Sequence, residues 1–184
     1  MPGSLIQVTE EITAFGDFAA SRSPQRICEI GTFNGGTSLF LAGLAPSVRS
    51  YVGVDLEPKN GELVHALASR SVQFKYLVGS SRDPEIRRQV TECSGGEPLD
   101  LLFIDGDHSY DGVRADFLEF RGLVRPGGLI AFHDIVPHPR GNAGEVPRFW
   151  QDVKDKMPSH EFVRSWDQQG FGIGVLENDP TATL

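Results

Sequence analysis

The stretch Arg26–Phe40, RICEIGTFNGGTSLF, decides the fold. Arg26 to Gly31 reads as a short apolar strand, and Gly35 to Leu44 as a helix that Pro46 ends. The join is a glycine turn of spacing G-x-x-x-G-G (Gly31, Gly35, Gly36). Gly31 and Gly35 remove side chains where a ligand can press on the backbone. The helix behind them offers free N–H groups to an anion. A tight strand-to-helix turn without a ligand has the same glycines. The spacing is neither the G-x-G-x-x-G of a dinucleotide fold nor a phosphate-binding G-x-x-x-x-G-K-[ST] loop.

Outward from this stretch, strands and helices alternate. Leu5–Ala20 carries Leu5, Ile6, Val8, Ile12, Phe15 and Phe18 at helical spacing and reads as a leading helix. Strands are expected at Ser50–Leu56, Val72–Val78, Leu99–Ile104 and Leu129–Phe132. Helices are expected at Glu62–Ser69, at Pro84–Cys93 with Asp83 as N-cap, and at Val146–Met157. Val113, Phe117, Phe120 and Val124 also repeat at helical spacing, and Pro126-Gly127-Gly128 reads as a turn. Glu161–Trp166 and Phe171–Leu176 read as a closing strand pair around Asp167–Gly170. Continuous apolar strands between helices point to an α/β, doubly wound, mostly parallel sheet covered on both faces. Residues 1–22 are expected to form an N-terminal helix and linker, 23–178 the core of a single domain, and 179–184 a frayed tail.

Composition narrows the partners. The 184 residues carry 17 Lys and Arg against 25 Asp and Glu, a net charge of −8. That balance argues against nucleic acid as the main partner. No apolar run reaches a membrane span. Cys28 and Cys93 fit no metal or redox motif, so a reducing, cytoplasmic setting is expected. A homo-oligomer is left open.

In sheets of this kind ligands bind beyond the carboxyl ends of the strands. Asp55 ends the second strand, placed to accept hydrogen bonds from both ribose hydroxyls. A solvated strand end is the alternative. A nucleoside joined to a carboxylate-bearing group satisfies both the glycine turn and Asp55.

The ordered set Glu29-x-Gly31-x-x-x-Gly35, Asp55, Val78-Gly79-Ser80-Ser81, Ile104-Asp105-Gly106-Asp107 and Leu123-Val124-Arg125-Pro126-Gly127-Gly128 resembles a class I S-adenosylmethionine-dependent methyltransferase. Within that class it is most similar to small metal-dependent O-methyltransferases of the catechol and caffeoyl-CoA type, and to those of antibiotic biosynthesis. The resemblance implies a Rossmann-like, seven-stranded sheet with an antiparallel C-terminal hairpin. It implies S-adenosyl-L-methionine as cofactor, with Mg or Mn as candidate metals, and a small hydroxylated acceptor. Glu29, Gly31, Phe33 and Gly35 would line the methionine end, with Thr37 on its carboxylate and Asp55 on the ribose. Ser80 and Ser81 would lie near the adenine and Asp105 near the sulfonium. Thr32, Asn34, Leu56 and Gly79 complete the cofactor set.

The resemblance also implies a metal site at Asp105, His133 and Asp134, where the family has an Asp-Asn pair after the fifth strand. His133 departs from that pattern and favours softer ions. His108 stands where the family often has a lysine base, and His133 is the second candidate base. Asp107 and Asp111 read as helix-start carboxylates. The Ile135–Glu145 loop, the leading helix or a partner subunit would select the acceptor. Three alternatives stay open: a cofactor-binding protein without transfer, an N- or C-methyltransferase, and a nucleotide-dependent oxidoreductase.

Overall fold

The computed structural model describes residues 6–57, 72–138 and 144–183. The expected helix at Glu62–Ser69 lies outside them. Strands β1 (Arg26–Ile30), β2 (Ser50–Asp55), β3 (Gln73–Val78), β4 (Leu99–Ile104), β5 (Val124–His133), β6 (Ser159–Phe162) and β7 (Ile173–Glu177) form one sheet in the order β3-β2-β1-β4-β5-β7-β6. The first five run parallel, and β7 lies antiparallel between β5 and β6.

Burial on both faces explains the unbroken apolar strands. Along β1 and β4, alternate residues feed opposite cores. Cys28, Ile30, Leu102 and Ile104 pack with Val113, Phe117 and Phe149. Ile27, Leu101 and Phe103 pack with Ile12, Phe15 and Leu41. Each strand therefore has no polar face to show, as a parallel sheet between two helical layers requires. Among the described residues no helix is long and apolar enough to cross a membrane.

Several boundaries differ from the sequence expectation. The leading helix spans Thr9–Ser21, so Ile6 and Val8 precede it. Val124 begins β5 rather than extending the preceding helix, which ends at Phe120 and passes through a short 3-10 turn, Arg121–Leu123. Its partner is Leu99, and the register shifts before Leu101 pairs with Leu129. Pro126-Gly127-Gly128 is absorbed into β5 at that irregularity, with Gly127 at φ +68. The Val146 helix stops at Val153. The β6 strand begins two residues early, at Ser159, and ends at Phe162. The buried Asn178 amide, at the end of the core, donates to the Val124 carbonyl at 2.7 Å, and within the tail expected to fray Ala182 packs on the core.

The strand order reverses between β1 and β4, the switch point at which open α/β sheets hold ligands.

Candidate active site at the switch point of the sheet

Gly31 leaves β1 at φ +82, and a Cβ there would lie 2.0 Å from the Asp105 carbonyl oxygen. Only glycine lets the ends of β1 and β4 approach so closely. The following turn is tied to β2 by a carboxylate. Asp55 Oδ2 accepts from the Thr32 N–H at 2.9 Å, the Thr32 hydroxyl at 3.1 Å and the Phe33 N–H at 3.0 Å. Its Oδ1 accepts from the Glu57 N–H at 3.2 Å. Phe33 itself sits at φ +38 and is 66% exposed, an aromatic ring held out at the rim.

Under the turn lies Glu29. Its side chain is fully buried and points away from the cavity, accepting the hydroxyls of Ser38 (2.6 Å) and Tyr51 on Oε2. Oε1 has no partner among the described residues. Burial pushes this carboxyl up to about 8, the two hydroxyls opposing it and Asp105 and Asp55 adding to it.

At the far side, β4 and β5 end in ionisable groups. Asp105 Oδ1 lies 3.2 Å from both His108 Nε2 and His133 Nδ1. Asp134 Oδ2 lies 3.5 Å from His108 Nδ1 and 3.6 Å from His133 Nδ1. Burial works to raise the Asp105 carboxyl, but the two imidazoles outweigh it and hold it below the usual carboxylate range. Burial likewise depresses His133, and Asp105 with Asp134 outweighs that and raises it. His133 is 5% exposed and its Nε2 has no partner among the described residues, whereas His108 is only half-buried. Asp134 takes φ +64, the left-handed region that is strained for a side-chain residue. That turn lets its Oδ1 accept the Phe171 N–H at 2.9 Å while Oδ2 faces the imidazoles.

These ends surround one cavity of about 1050 Å³. Of the residues singled out from the sequence, Gly31, Phe33, Asp55, Leu56, Gly79, Ser80, Ser81, Asp105, His108, His133 and Asp134 line it. Glu29, Thr32, Asn34, Gly35 and Thr37 do not. Thr32 holds Asp55 and shares a 2.7 Å contact with the Tyr76 hydroxyl, and Thr37 is buried beside the Gln7 amide at 3.4 Å. The donor atoms of Asp105, His108 and Asp134 lie within 4.8 Å of one another, a grouping that could hold a cation.

Sequence reasoning missed one wall. Gln169, Gly170 and Phe171, from the loop between β6 and β7, line the cavity with Ile6 and His138. Gly170, Phe171 and Gly172 all have positive φ, so this is a folded loop rather than a plain hairpin turn. The Gly-Phe-Gly triplet was the available signal. What secures the loop is Glu11, buried on the leading helix. Its carboxylate accepts from the Arg164 N–H (2.9 Å), the Gln168 amide (2.6 Å) and the Gly172 N–H (2.9 Å).

Comparison with known proteins places the fold and the family. A protein of the Acanthamoeba polyphaga mimivirus, uncharacterized protein R132, is 34% identical over 113 residues, covering 58% of this chain and 49% of its own. The chain thus spans about half the length of that relative, and less of a second one. Among solved structures, an O-methyltransferase of Bacillus cereus in complex with S-adenosylhomocysteine superposes with a TM-score of 0.68 at 18% identity, covering 97% of this chain and 84% of that one. The MycE methyltransferase of mycinamycin biosynthesis, in complex with Mg, S-adenosylhomocysteine and mycinamycin VI, gives 0.64 at 17% identity, over 94% and 51%. At these identities the likeness is one of fold: the Rossmann-like fold of the class I methyltransferases. The family model for a methyltransferase domain matches residues 28–135, more than half of the chain, and the chain belongs to that methyltransferase family.

Proposed function

We propose that this chain transfers the methyl group of S-adenosylmethionine to a hydroxyl of a small acceptor. One observation carries the reading. A cavity at the switch point joins a glycine turn and Asp55 on one side to a carboxylate–imidazole cluster on the other. Further support comes from the family match and from the bound S-adenosylhomocysteine of the structural neighbours. The volume, just above the roughly 300–1,000 Å³ of small-molecule sites, leaves room for a donor and an acceptor together.

The bound donor would supply an electrophilic methyl on a sulfonium, displaced in line by the acceptor oxygen. Asp55 would accept the ribose hydroxyls. Gly31 and Gly79 would let the ligand lie against the backbone. His108, the more accessible imidazole, would take the acceptor proton on Nδ1, with its Nε2–H donated to Asp105. His133, behind the same carboxylates, would keep them in place. The acceptor would lie against the wall that His138 and Gln169–Phe171 form together.

A divalent cation fits the donor set of two carboxylates and an imidazole. Asp105, His108 and Asp134 would hold it, with His133 as the further ligand suggested by the sequence. Mixed oxygen and nitrogen donors suit Mn²⁺ better than Mg²⁺. Such an ion would lower the pKa of the acceptor hydroxyl and hold its oxygen in place.

Calorimetric titration with S-adenosylhomocysteine tests the donor site. Micromolar binding is expected, with Asp55→Ala weakening it about 100-fold through lost charge-assisted hydrogen bonds. No heat from the unmodified chain removes the proposal. Methyl transfer to a panel of hydroxylated acceptors, after chelation and with Mn²⁺ or Mg²⁺ restored, tests the rest. Activity indifferent to chelation assigns His108 to proton transfer alone.

A further inference from the structure

Asp116 is a buried carboxylate for which the proposed chemistry has no use. It lies on the inner face of the Tyr110–Phe120 helix, 2% exposed. Its Oδ1 accepts the Ser81 hydroxyl at 2.5 Å. Its Oδ2 has no partner among the described residues and lies 3.2 Å from where a Cβ on Gly106 would stand. The carboxylate thus sits beneath two loops, 79–82 and 105–108, that wall the cavity together. An ion in that position is costly to bury. A serine beside an open cavity needs no such partner to be satisfied.

A serine hydroxyl has one proton to give and two lone pairs to receive, and left alone it rotates to suit either kind of ligand. With its proton committed to Asp116, the Ser81 oxygen can only accept from the cavity side. We propose that Asp116 is a positioning residue that fixes Ser81 as an acceptor, so that the cavity selects a 6-aminopurine over its 6-oxo counterpart. The inference rests on the proposed donor site, with the adenine beside Ser80 and Ser81. The exocyclic amine of adenine donates to Ser81. The carbonyl of hypoxanthine is a second acceptor facing the first, and both lose a partner. Burial pushes the Asp116 carboxyl up to about 6, against the Ser81 bond and the nearby Arg82 and with a push from Asp107. At neutral pH it remains mostly ionised, an acceptor without a proton to lend.

The test is binding of S-adenosylhomocysteine and S-inosylhomocysteine to the full chain and to Asp116→Asn, Ser81→Ala and the double variant. The unmodified chain should favour the adenosyl compound roughly 10- to 100-fold. In Asp116→Asn the amide can donate to Ser81 and release its proton, so the preference should shrink several-fold. Ser81→Ala should shrink it too, and adding Asp116→Asn to that background should change nothing more. If Asp116→Asn does not fold, Ser81→Ala alone decides. A preference that survives both substitutions, or equal binding of the two compounds by the unmodified chain, overturns the inference while leaving the donor site standing. No binding of either compound overturns the donor site and this inference with it.

Discussion

On the β1–β2 side of the cavity, one carboxylate gathers backbone donors: Asp55 receives the N–H groups of Thr32, Phe33 and Glu57. On the β4–β5 side, each of two carboxylates stands 3.2–3.6 Å from each of two imidazoles, and the chain bends into strained φ at Asp134 and Phe171 to hold them. The first arrangement fixes a shape and leaves no easily moved proton at the cavity wall. The second sets two imidazoles against two carboxylates, groups able to take up or give up a proton. A bound donor needs a fixed cradle, whereas an acceptor hydroxyl must lose a proton as the methyl arrives. The contrast therefore separates binding from chemistry, and substitutions on the two sides should fail in different ways.

The largest effect is expected from Asp105→Asn, which removes the negative charge both imidazoles face. Methyl transfer should fall about 10³-fold while the affinity for S-adenosylhomocysteine changes little. A parallel collapse of affinity would erase the separation. His108→Ala should lower transfer about 10²-fold, the usual contribution of a positioned base. If single-turnover rates instead survive in His108→Ala and vanish in His133→Ala, the buried imidazole is the base. Gly31→Ala tests the joint between the sides. A Cβ against the Asp105 carbonyl and a positive φ together should cost about 3 kcal/mol, a melting-point drop of roughly 6–12 °C. An unchanged melting point would show that β1 and β4 part easily.

What was legible in the sequence follows from local rules. β4 was readable because both of its faces are buried from Leu101 to Ile104, which leaves an unbroken apolar run there. The Pro84–Cys93 helix announced itself through Asp83, whose side chain accepts the Glu85 N–H at 2.9 Å. Val124 misled because it continues the period of Val113, Phe117 and Phe120, and only pairing with Leu99 pulls it into the sheet. The wall at Gln169–Phe171 depends on Glu11, more than 150 residues away, and no local pattern encodes that contact. Likewise both histidines stood out, but nothing in the spacing distinguished the buried His133 from the accessible His108.

The smallest effect sharpens the comparison from beneath. Glu29 supports the β1–β2 side, and its carboxyl is pushed up to about 8 chiefly by burial. In the unfolded chain it titrates near 4.5. Between those values the folded state keeps a proton that the unfolded state has lost. Its contribution to stability is therefore complete below about pH 4.5, falls as pH rises toward 8, and is flat beyond. The decline should be on the order of 5 kcal/mol. Asp116, raised to about 6, adds to the decline over a lower window, whereas Asp105, held low, acts in the opposite sense only in acid. Glu29→Gln removes the first contribution and leaves the other two. Urea unfolding at pH 5, 6.5 and 8 should show the difference between variant and unmodified chain growing with pH in favour of the variant. Parallel curves would mean that Glu29 is ionised in the fold like Asp105, and that charge is buried on both sides of the cavity alike.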